Sequence, residues 1–134
     1  MIPRIPIKKI MSQRLATIDH LMDLKSVAKQ MASLDVGSLL VTKDSEVMGI
    51  ITETDMVRRA LAQDMDLIAV KVEEVMSYPV HSIDEEESLD RAHEMMGEHH
   101  IRHLLVTQGG KPSGVLSVRN LLESVYEWAQ RMKS

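Results

Sequence analysis

The stretch Gly49-Ile-Ile-Thr-Glu-Thr-Asp55 recurs 65 residues later as Gly114-Val-Leu-Ser-Val-Arg-Asn120. Extending this match in both directions pairs residues 7–62 with residues 72–127 without a gap, and 11 of the 56 aligned positions are identical. Composition alone would give roughly 3–4 identities, so the match indicates an internal duplication. The identical pairs are Met11/Met76, Ser12/Ser77, Ile18/Ile83, Asp19/Asp84, Leu24/Leu89, Met31/Met96, Leu39/Leu104, Leu40/Leu105, Val41/Val106, Thr42/Thr107 and Gly49/Gly114.

Each repeat has the pattern of a small α/β unit. Apolar residues between positions 24 and 34 follow the i, i+3, i+4, i+7 spacing of an amphipathic helix, and Asp23 and Ser88 are placed to cap this helix and its copy. A short helical turn is predicted at Ile10-Met11 and at Val75-Met76. The predicted strands are Leu15–Ile18, Ser38–Thr42, Val47–Thr52, Val80–Ile83, His103–Thr107 and Ser113–Ser117, and the predicted helices are about Leu24–Leu34, Glu53–Ala62, Leu89–His99 and Val118–Met132.

The order β-α-β-β-α in each repeat predicts the architecture. Strands this apolar need cover on both faces, and one copy alone would leave a face of its sheet open. We therefore expect an α/β (α+β) fold in which two repeats pack about a pseudo-twofold axis into one compact domain. The repeats are residues 7–62 and 72–127 with a linker at 63–71, and the final helix extends to about residue 132. Gly109-Gly110 predicts a hairpin turn in the second repeat.

Composition excludes several classes of protein. The chain has 134 residues, the length of one ordinary domain, and no cysteine, which excludes disulfides and thiolate zinc sites. A net charge of −4 and only three aromatic residues, Tyr78, Tyr126 and Trp128, argue against nucleic-acid binding. No segment has the apolar length of a membrane span, and the first ten residues lack the apolar stretch of a secretory signal. We expect a cytoplasmic protein with no membrane partner.

The repeated motifs resemble a known family. Ile10-Met11-Ser12 and Val75-Met76-Ser77 open the repeats, the two seven-residue stretches join the last strand to the last helix, and Ile101-Arg-His-Leu-Leu-Val106 begins a middle strand. Together they resemble a tandem pair of cystathionine-β-synthase (CBS) domains, the Bateman module, here as a stand-alone protein. The resemblance implies a regulatory module that binds AMP, ADP, ATP or S-adenosylmethionine and signals to an effector protein. It also implies a homodimer formed through helices.

The Thr52-x-x-Asp55 motif has two interpretations that are compatible with each other. Thr52 and Asp55 match a capping box at the start of a helix. A helix N-terminus also suits phosphate, and a carboxylate beside it can accept hydrogen bonds from ribose hydroxyls. In CBS pairs the matching threonine faces phosphate or ribose and the matching aspartate holds ribose. In the second repeat Ser117 replaces Thr52 and Asn120 replaces Asp55, so the charge is lost.

The resemblance places each ligand cleft between the repeats, and the basic residues make the two clefts unequal. Arg102, His103 and Arg119 have no basic counterpart in the first repeat. The residues predicted for the main cleft are Thr52, Asp55, Arg119, Arg102 and His103, with Ile50, Ile18, His81 and Val80 as apolar walls for adenine. Those predicted for the weaker cleft are Ser117, Asn120, Thr54, Gly37 and Ser38. Surface charge for the arginines and core packing for the aliphatic residues are the alternative interpretations.

Other patterns carry less weight. His99, His100 and His103 match no zinc spacing, so no metal site is expected. The acidic run Asp84–Glu87 is typical of a solvated face at a helix start, and no set of nucleophile, base and orienting residue is present. We therefore expect no enzyme and no catalytic residues or catalytic cofactor. The alternative function is a dimerising scaffold without a ligand, with the apolar residues of the last helix as its surface.

Overall fold

A computed structural model describes residues 4–133 and divides them into two compact units. The first, here the Asp55 unit, is Ala16–Val80. Its elements are strand β1 (Thr17–Asp19), helix α1 (Leu24–Leu34), strands β2 (Ser38–Lys43) and β3 (Glu46–Thr52), and helix α2, which is α-helical over Glu53–Asp55 and continues as a π-helix over Met56–Leu61.

The second unit, here the Asn120 unit, joins the described residues up to Leu15 with the chain from His81 onward. Its elements follow the same order. They are strand β4 (Ser82–Asp84), helix α3 (Leu89–His99), strands β5 (His103–Gln108) and β6 (Lys111–Ser117), and helix α4 (Val118–Met132). In the described chain, the 3-10 helices Ile7–Lys9 and Val72–Glu74 precede the two strand sets in sequence.

Each unit contains a three-stranded mixed sheet. β1 runs parallel to β2, which runs antiparallel to β3, and β4, β5 and β6 repeat this order. The hairpin predicted at Gly109-Gly110 is confirmed, with φ values of 57° and 81°. A two-residue hairpin turn of this kind needs positive φ at both positions, which glycine adopts without cost. The equivalent turn has Asp44 and Ser45 at φ 49° and 66°.

The predicted helices Leu24–Leu34, Leu89–His99 and Val118–Met132 are confirmed to the residue. The predicted first strands were wrong by about two residues, because β1 is Thr17–Asp19 rather than Leu15–Ile18 and β4 is Ser82–Asp84 rather than Val80–Ile83. Backbone pairing decides these bounds: Thr17 is opposite Leu40 and Asp19 is opposite Thr42. Apolar Leu15 looked like strand but is 39% exposed. Likewise, the predicted turns at Ile10-Met11 and Val75-Met76 begin three residues earlier.

The opening segment of each repeat packs with the sheet of the other repeat. Ile7 is fully buried in the core formed by β4, α3, β5 and β6, while Val72 and Val75 belong to the core of the Asp55 unit. Backbone bonds fix both segments, since Ser12 pairs with Val115 and Ser77 pairs with Ile50. The sequence repeats and the compact units therefore differ at their N-terminal ends.

The two predicted helix caps form, and they differ in charge. The Asp23 carboxylate accepts hydrogen bonds from Ser26 N (2.9 Å) and Ser26 Oγ (2.7 Å). Ser88 Oγ accepts from Arg91 N at 3.4 Å. The side-chain bond from Ser26, followed by its backbone bond, lowers the pKa of Asp23 from its ordinary value of 3.8. These bonds favour the charged carboxylate.

Asp23→Ala is therefore expected to lower the thermal midpoint of unfolding at neutral pH. The size of this decrease should depend on pH. A carboxyl whose pKa is depressed on folding stabilises above its unfolded pKa, and that stability is lost as pH falls through its folded pKa. The difference in thermal midpoint between the parent protein and Asp23→Ala should shrink as the pH falls below about 3.8. Ser88→Ala is the matched control, with a cost of about 1 kcal/mol that stays constant over the same range. A deficit for Asp23→Ala that does not change with pH would contradict this.

Candidate functional site

The strand-to-helix turn of the Asp55 unit forms a complete capping box. Thr52 ends β3, and its Oγ1 accepts a hydrogen bond from Asp55 N at 3.1 Å. In return, Asp55 Oδ2 accepts bonds from Thr52 N at 3.0 Å and from Thr52 Oγ1 at 3.1 Å. The capping interpretation of the motif is confirmed, and it fixes the Asp55 side chain at the first turn of α2.

Ser77 also binds Asp55, and the sequence prediction missed it. Its Oγ lies 3.0 Å from Asp55 Oδ1 and 3.2 Å from Oδ2. Ser77 is held there because its backbone N–H donates to Ile50 O at 2.8 Å and its carbonyl accepts from Ile50 N at 3.0 Å. A signal for Ser77 was present in the sequence, since it is identical to Ser12 in the aligned repeats.

The two oxygens of Asp55 differ in how much acceptor capacity they keep. Oδ2 accepts two bonds from Thr52, whereas Oδ1 has Ser77 Oγ at 3.0 Å and the Arg59 guanidinium at 3.9 Å. A hydroxyl has one proton, so Ser77 can donate to only one oxygen at a time. The side chain of Asp55 is 9% exposed. Oδ1 is thus a buried anionic acceptor that can take a further hydrogen bond.

The equivalent turn of the Asn120 unit keeps the cap but not the charge. Ser117 Oγ accepts from Asn120 N at 3.2 Å, and Asn120 Oδ1 accepts from Ser117 N at 2.8 Å and from Ser117 Oγ at 3.0 Å. Asn120 is half-buried where Asp55 is buried. Within the described residues, no hydrogen bond joins Ser12 to Asn120, although Ser77 binds Asp55. This turn offers a neutral amide in place of a carboxylate.

The other predicted site residues lie around these two turns. In the Asp55 unit, the Gly37 carbonyl accepts from Glu53 N at 3.0 Å, and Ser38 is opposite Thr52 in the sheet. In the Asn120 unit, the Arg102 carbonyl accepts from Val118 N at 2.9 Å, and His103 is opposite Ser117. Of the remainder, Ile18, Ile50, Thr54 and Val80 belong to the Asp55 unit, and His81 and Arg119 belong to the Asn120 unit.

The predicted adenine walls differ in burial. Ile18 and Ile50 are each 8% exposed, and Ile18 belongs to the core of its unit, so core packing accounts for it. Val80 and His81 are half-buried. The His81 ring stacks on His99 at a centroid separation of 3.9 Å and an angle of 18°. Burial, with a smaller contribution from His99, lowers the pKa of His81 below its ordinary value of 6.5.

The predicted phosphate-binding arginines are exposed. The Arg119 side chain is 75% exposed, and its Nε donates to Glu123 Oε1 at 3.2 Å. Arg102 is exposed as well. An exposed i, i+4 ion pair of this kind is worth only a few tenths of a kcal/mol, so Arg119 can exchange Glu123 for another anion at little cost.

The repeat, the two mixed sheets and the paired capping turns match one family. The family model for the CBS domain matches residues 7–62 and again residues 72–127. The chain belongs to the CBS domain family. The CBS pair is similar to the CBS domain-containing protein YhcV of Bacillus subtilis, at 28% identity over 86% of the chain and 81% of that protein.

Solved structures of CBS pairs show the same fold. A CBS-domain protein from Burkholderia ambifaria matches with a TM-score of 0.88 and 30% identity over 92% of the chain and 95% of that structure. A conserved protein from Pyrococcus horikoshii matches with a TM-score of 0.86 and 29% identity over 92% and 94%. A hexameric CBS-CP12 protein from bloom-forming cyanobacteria matches with a TM-score of 0.83 and 27% identity over 90% and 72%.

The family defines the class of function. CBS pairs are commonly regulatory modules, and they generally bind adenosine-containing ligands. Stand-alone CBS pairs are regulatory or of unknown function rather than catalytic. In the described part of the chain, no helix has the length and apolarity to cross a membrane.

Proposed function

We propose that this CBS pair binds an adenosine-containing ligand, AMP, ADP, ATP or S-adenosylmethionine, and that Asp55 accepts hydrogen bonds from the ribose hydroxyls. The observation that supports this proposal is the buried Oδ1 of Asp55, which keeps acceptor capacity beside a helix start. A hydrogen bond to a charged group is worth about 1.5–3 kcal/mol. Asn120 offers no charge at the equivalent turn, so that turn is proposed as the weaker one.

The contact between Ser77 and Asp55 gives the proposed module a route for signalling. A ribose hydroxyl that donates to Oδ1 weakens the hydrogen bond that this oxygen accepts from Ser77 Oγ, which lies 3.0 Å from Oδ1 and 3.2 Å from Oδ2. Ligand binding would therefore shift the Ser77 hydroxyl toward Oδ2. Because Ser77 belongs to the segment that opens the second repeat, its shift changes the packing of that segment. A partner that senses this change must in turn alter ligand affinity, since linkage is reciprocal.

A dimerising scaffold is the second candidate. The oxygens of Asp55 already have protein partners, so a capping role alone could account for the Thr52-x-x-Asp55 motif. Helix α4 also exposes Leu122, Tyr126 and Met132 at 65% or more, and exposed apolar patches of this kind mark interaction surfaces. The hexameric CBS-CP12 structure shows that a protein of this fold assembles.

Isothermal titration with AMP, ATP and S-adenosylmethionine separates the two candidates. We expect micromolar binding of at least one ligand and a loss of affinity of tenfold or more in Asp55→Asn, the equivalent of one charged hydrogen bond. Asp64→Asn is the matched control, since Asp64 is exposed at φ 55°, where asparagine is tolerated. Arg119→Ala should weaken ATP more than S-adenosylmethionine if Arg119 binds phosphate. Nucleotide-free protein that binds none of the three ligands would favour the scaffold.

A further inference from the structure

The Asn120 unit contains a cavity that is separate from the residues proposed to bind an adenosine ligand. It lies between the N-terminal segment and the second half of α4, and its volume is about 320 Å³. Small-molecule pockets begin at about this size. None of the predicted ligand residues lines this cavity. The site is therefore distinct from the Asp55 turn.

Basic side chains dominate the rim of the cavity. Arg4, Lys9 and Arg131 line it, and Glu127 is the single acidic residue. Considering only the described residues, none of the three cations forms an ion pair within 4 Å. Excess positive charge around a concave surface attracts anions more strongly than the same charges on a flat surface.

Ser124 provides a buried polar group in the cavity lining. It is 7% exposed and lines the cavity, and its hydroxyl makes no hydrogen bond to any residue that the structure describes. Its equivalent in the aligned repeats is Arg59, which donates to the Met76 carbonyl at 3.1 Å. Among the described residues, no side-chain oxygen is both fully buried and unpaired, so the Ser124 hydroxyl is open to the cavity. It is therefore available to donate a hydrogen bond to a molecule bound there.

The walls give the cavity an apolar side and a fixed shape. Trp128 and three apolar residues of the N-terminal segment contribute to the lining. That segment is anchored, because Ile7 N donates to Glu87 O and Lys8 N donates to Glu85 O, each at 3.0 Å. Ile7, which lies beside the lining residues, is fully buried. The wall is thus preorganised in the absence of a ligand. This preorganisation reduces the entropic cost of binding.

The geometry points to a second binding site here, for a small organic anion that has a phosphate or carboxylate head and a flat apolar body. The head binds Arg4, Lys9 and Arg131 and accepts a hydrogen bond from Ser124. The body packs on Trp128 and the aliphatic wall. Charge-assisted hydrogen bonds from guanidinium groups supply the larger part of the affinity.

The fluorescence of Trp128, the only tryptophan of the chain, reports on this site directly. Phenyl phosphate is the probe, and inorganic phosphate is the comparison. We expect a saturable change in emission, with phenyl phosphate binding about tenfold more tightly because it buries its ring. Arg131→Gln should weaken binding by about tenfold and Ser124→Ala by several-fold. Lys111→Gln, an equal change of charge at the exposed β5–β6 hairpin, should leave binding unchanged.

Several results would contradict the proposal of a second binding site in this cavity. Emission that changes linearly without saturation would mean collisional quenching, and equal weakening in Lys111→Gln would mean an effect of overall charge. Equal affinity for phenyl phosphate and inorganic phosphate would remove the apolar part of the proposal. Loss of phenyl phosphate binding in Asp55→Asn would place the probe at the adenosine site. Circular dichroism of each variant shows that it is folded, so that lost binding reports on the site.

Discussion

Gly114→Ala is expected to lower the free energy of unfolding by about 2–3 kcal/mol. A Cβ at this position would lie 2.5 Å from the Ser12 carbonyl oxygen and 2.8 Å from Met11 Sδ. The carbonyl cannot move aside, because Val115 N donates to it at 3.0 Å and Ser12 N donates to Val115 O at 2.9 Å. Relief of the clash must break this pairing, and with it the docking of the N-terminal segment.

Two other glycines serve as comparisons for this prediction. At Gly49 the atom nearest to an added Cβ is Met76 Sδ, which lies on a flexible side chain, and the Ser77 carbonyl oxygen lies at 3.0 Å. Gly49→Ala should therefore cost less stability than Gly114→Ala. Gly97 lies in α3, where an added Cβ would have nothing within 4 Å. Gly97→Ala should therefore stabilise by up to about 1 kcal/mol through helix propensity. Urea unfolding measures all three, and a Gly114→Ala protein as stable as the parent would refute the close approach.

Asp55→Ala is expected to lower the free energy of unfolding by about 2–3 kcal/mol, and Asn120→Ala by only about 1 kcal/mol. The alanine removes the acceptor for the backbone of Thr52, as the loss of any cap does. In the Asp55 unit it also leaves the Ser77 hydroxyl, which lies within hydrogen-bonding distance of both carboxylate oxygens, without its partner. In the described part of the Asn120 unit, Ser12 makes no such bond to Asn120.

Chemical unfolding of the two variants tests this difference between the turns. Asp55→Asn keeps an acceptor for the cap and should retain most of the stability, so it is the proper variant for ligand titrations. Equal losses in Asp55→Ala and Asn120→Ala would mean that Ser77 contributes nothing and that both motifs are simple caps.

Much of the fold could be predicted because the determining signals are local or repeated. The spacing of apolar residues predicted α1, the repeat extended that prediction to α3, and Gly109-Gly110 predicted a hairpin. The exchange of opening segments could not be predicted, because Ile7 looks equally apolar whichever sheet it joins. Pairing with β2 and β5 fixed the bounds of the first strands, and such pairing is a tertiary property that the sequence pattern does not contain.

The candidate site was predicted in part for a similar reason. Thr52 and Asp55 lie three residues apart, so the capping motif is visible in the sequence. Ser77 lies 22 residues from Asp55, and only the fold brings them together. The cavity that Ser124 lines could not be predicted from the sequence either, because its lining residues are far apart in the chain, at positions 4–10 and 124–131.

The most direct test of Asp55 as the ribose acceptor is a double-mutant cycle between the side chain and the ligand. It requires the affinities of the parent protein and of Asp55→Asn for AMP and for 2′,3′-dideoxy-AMP. If Asp55 holds the ribose hydroxyls, their removal should weaken binding to the parent by tenfold or more and to Asp55→Asn much less, a coupling of about 1.4 kcal/mol. Additive losses, or an AMP affinity that does not depend on the hydroxyls, would contradict the proposal.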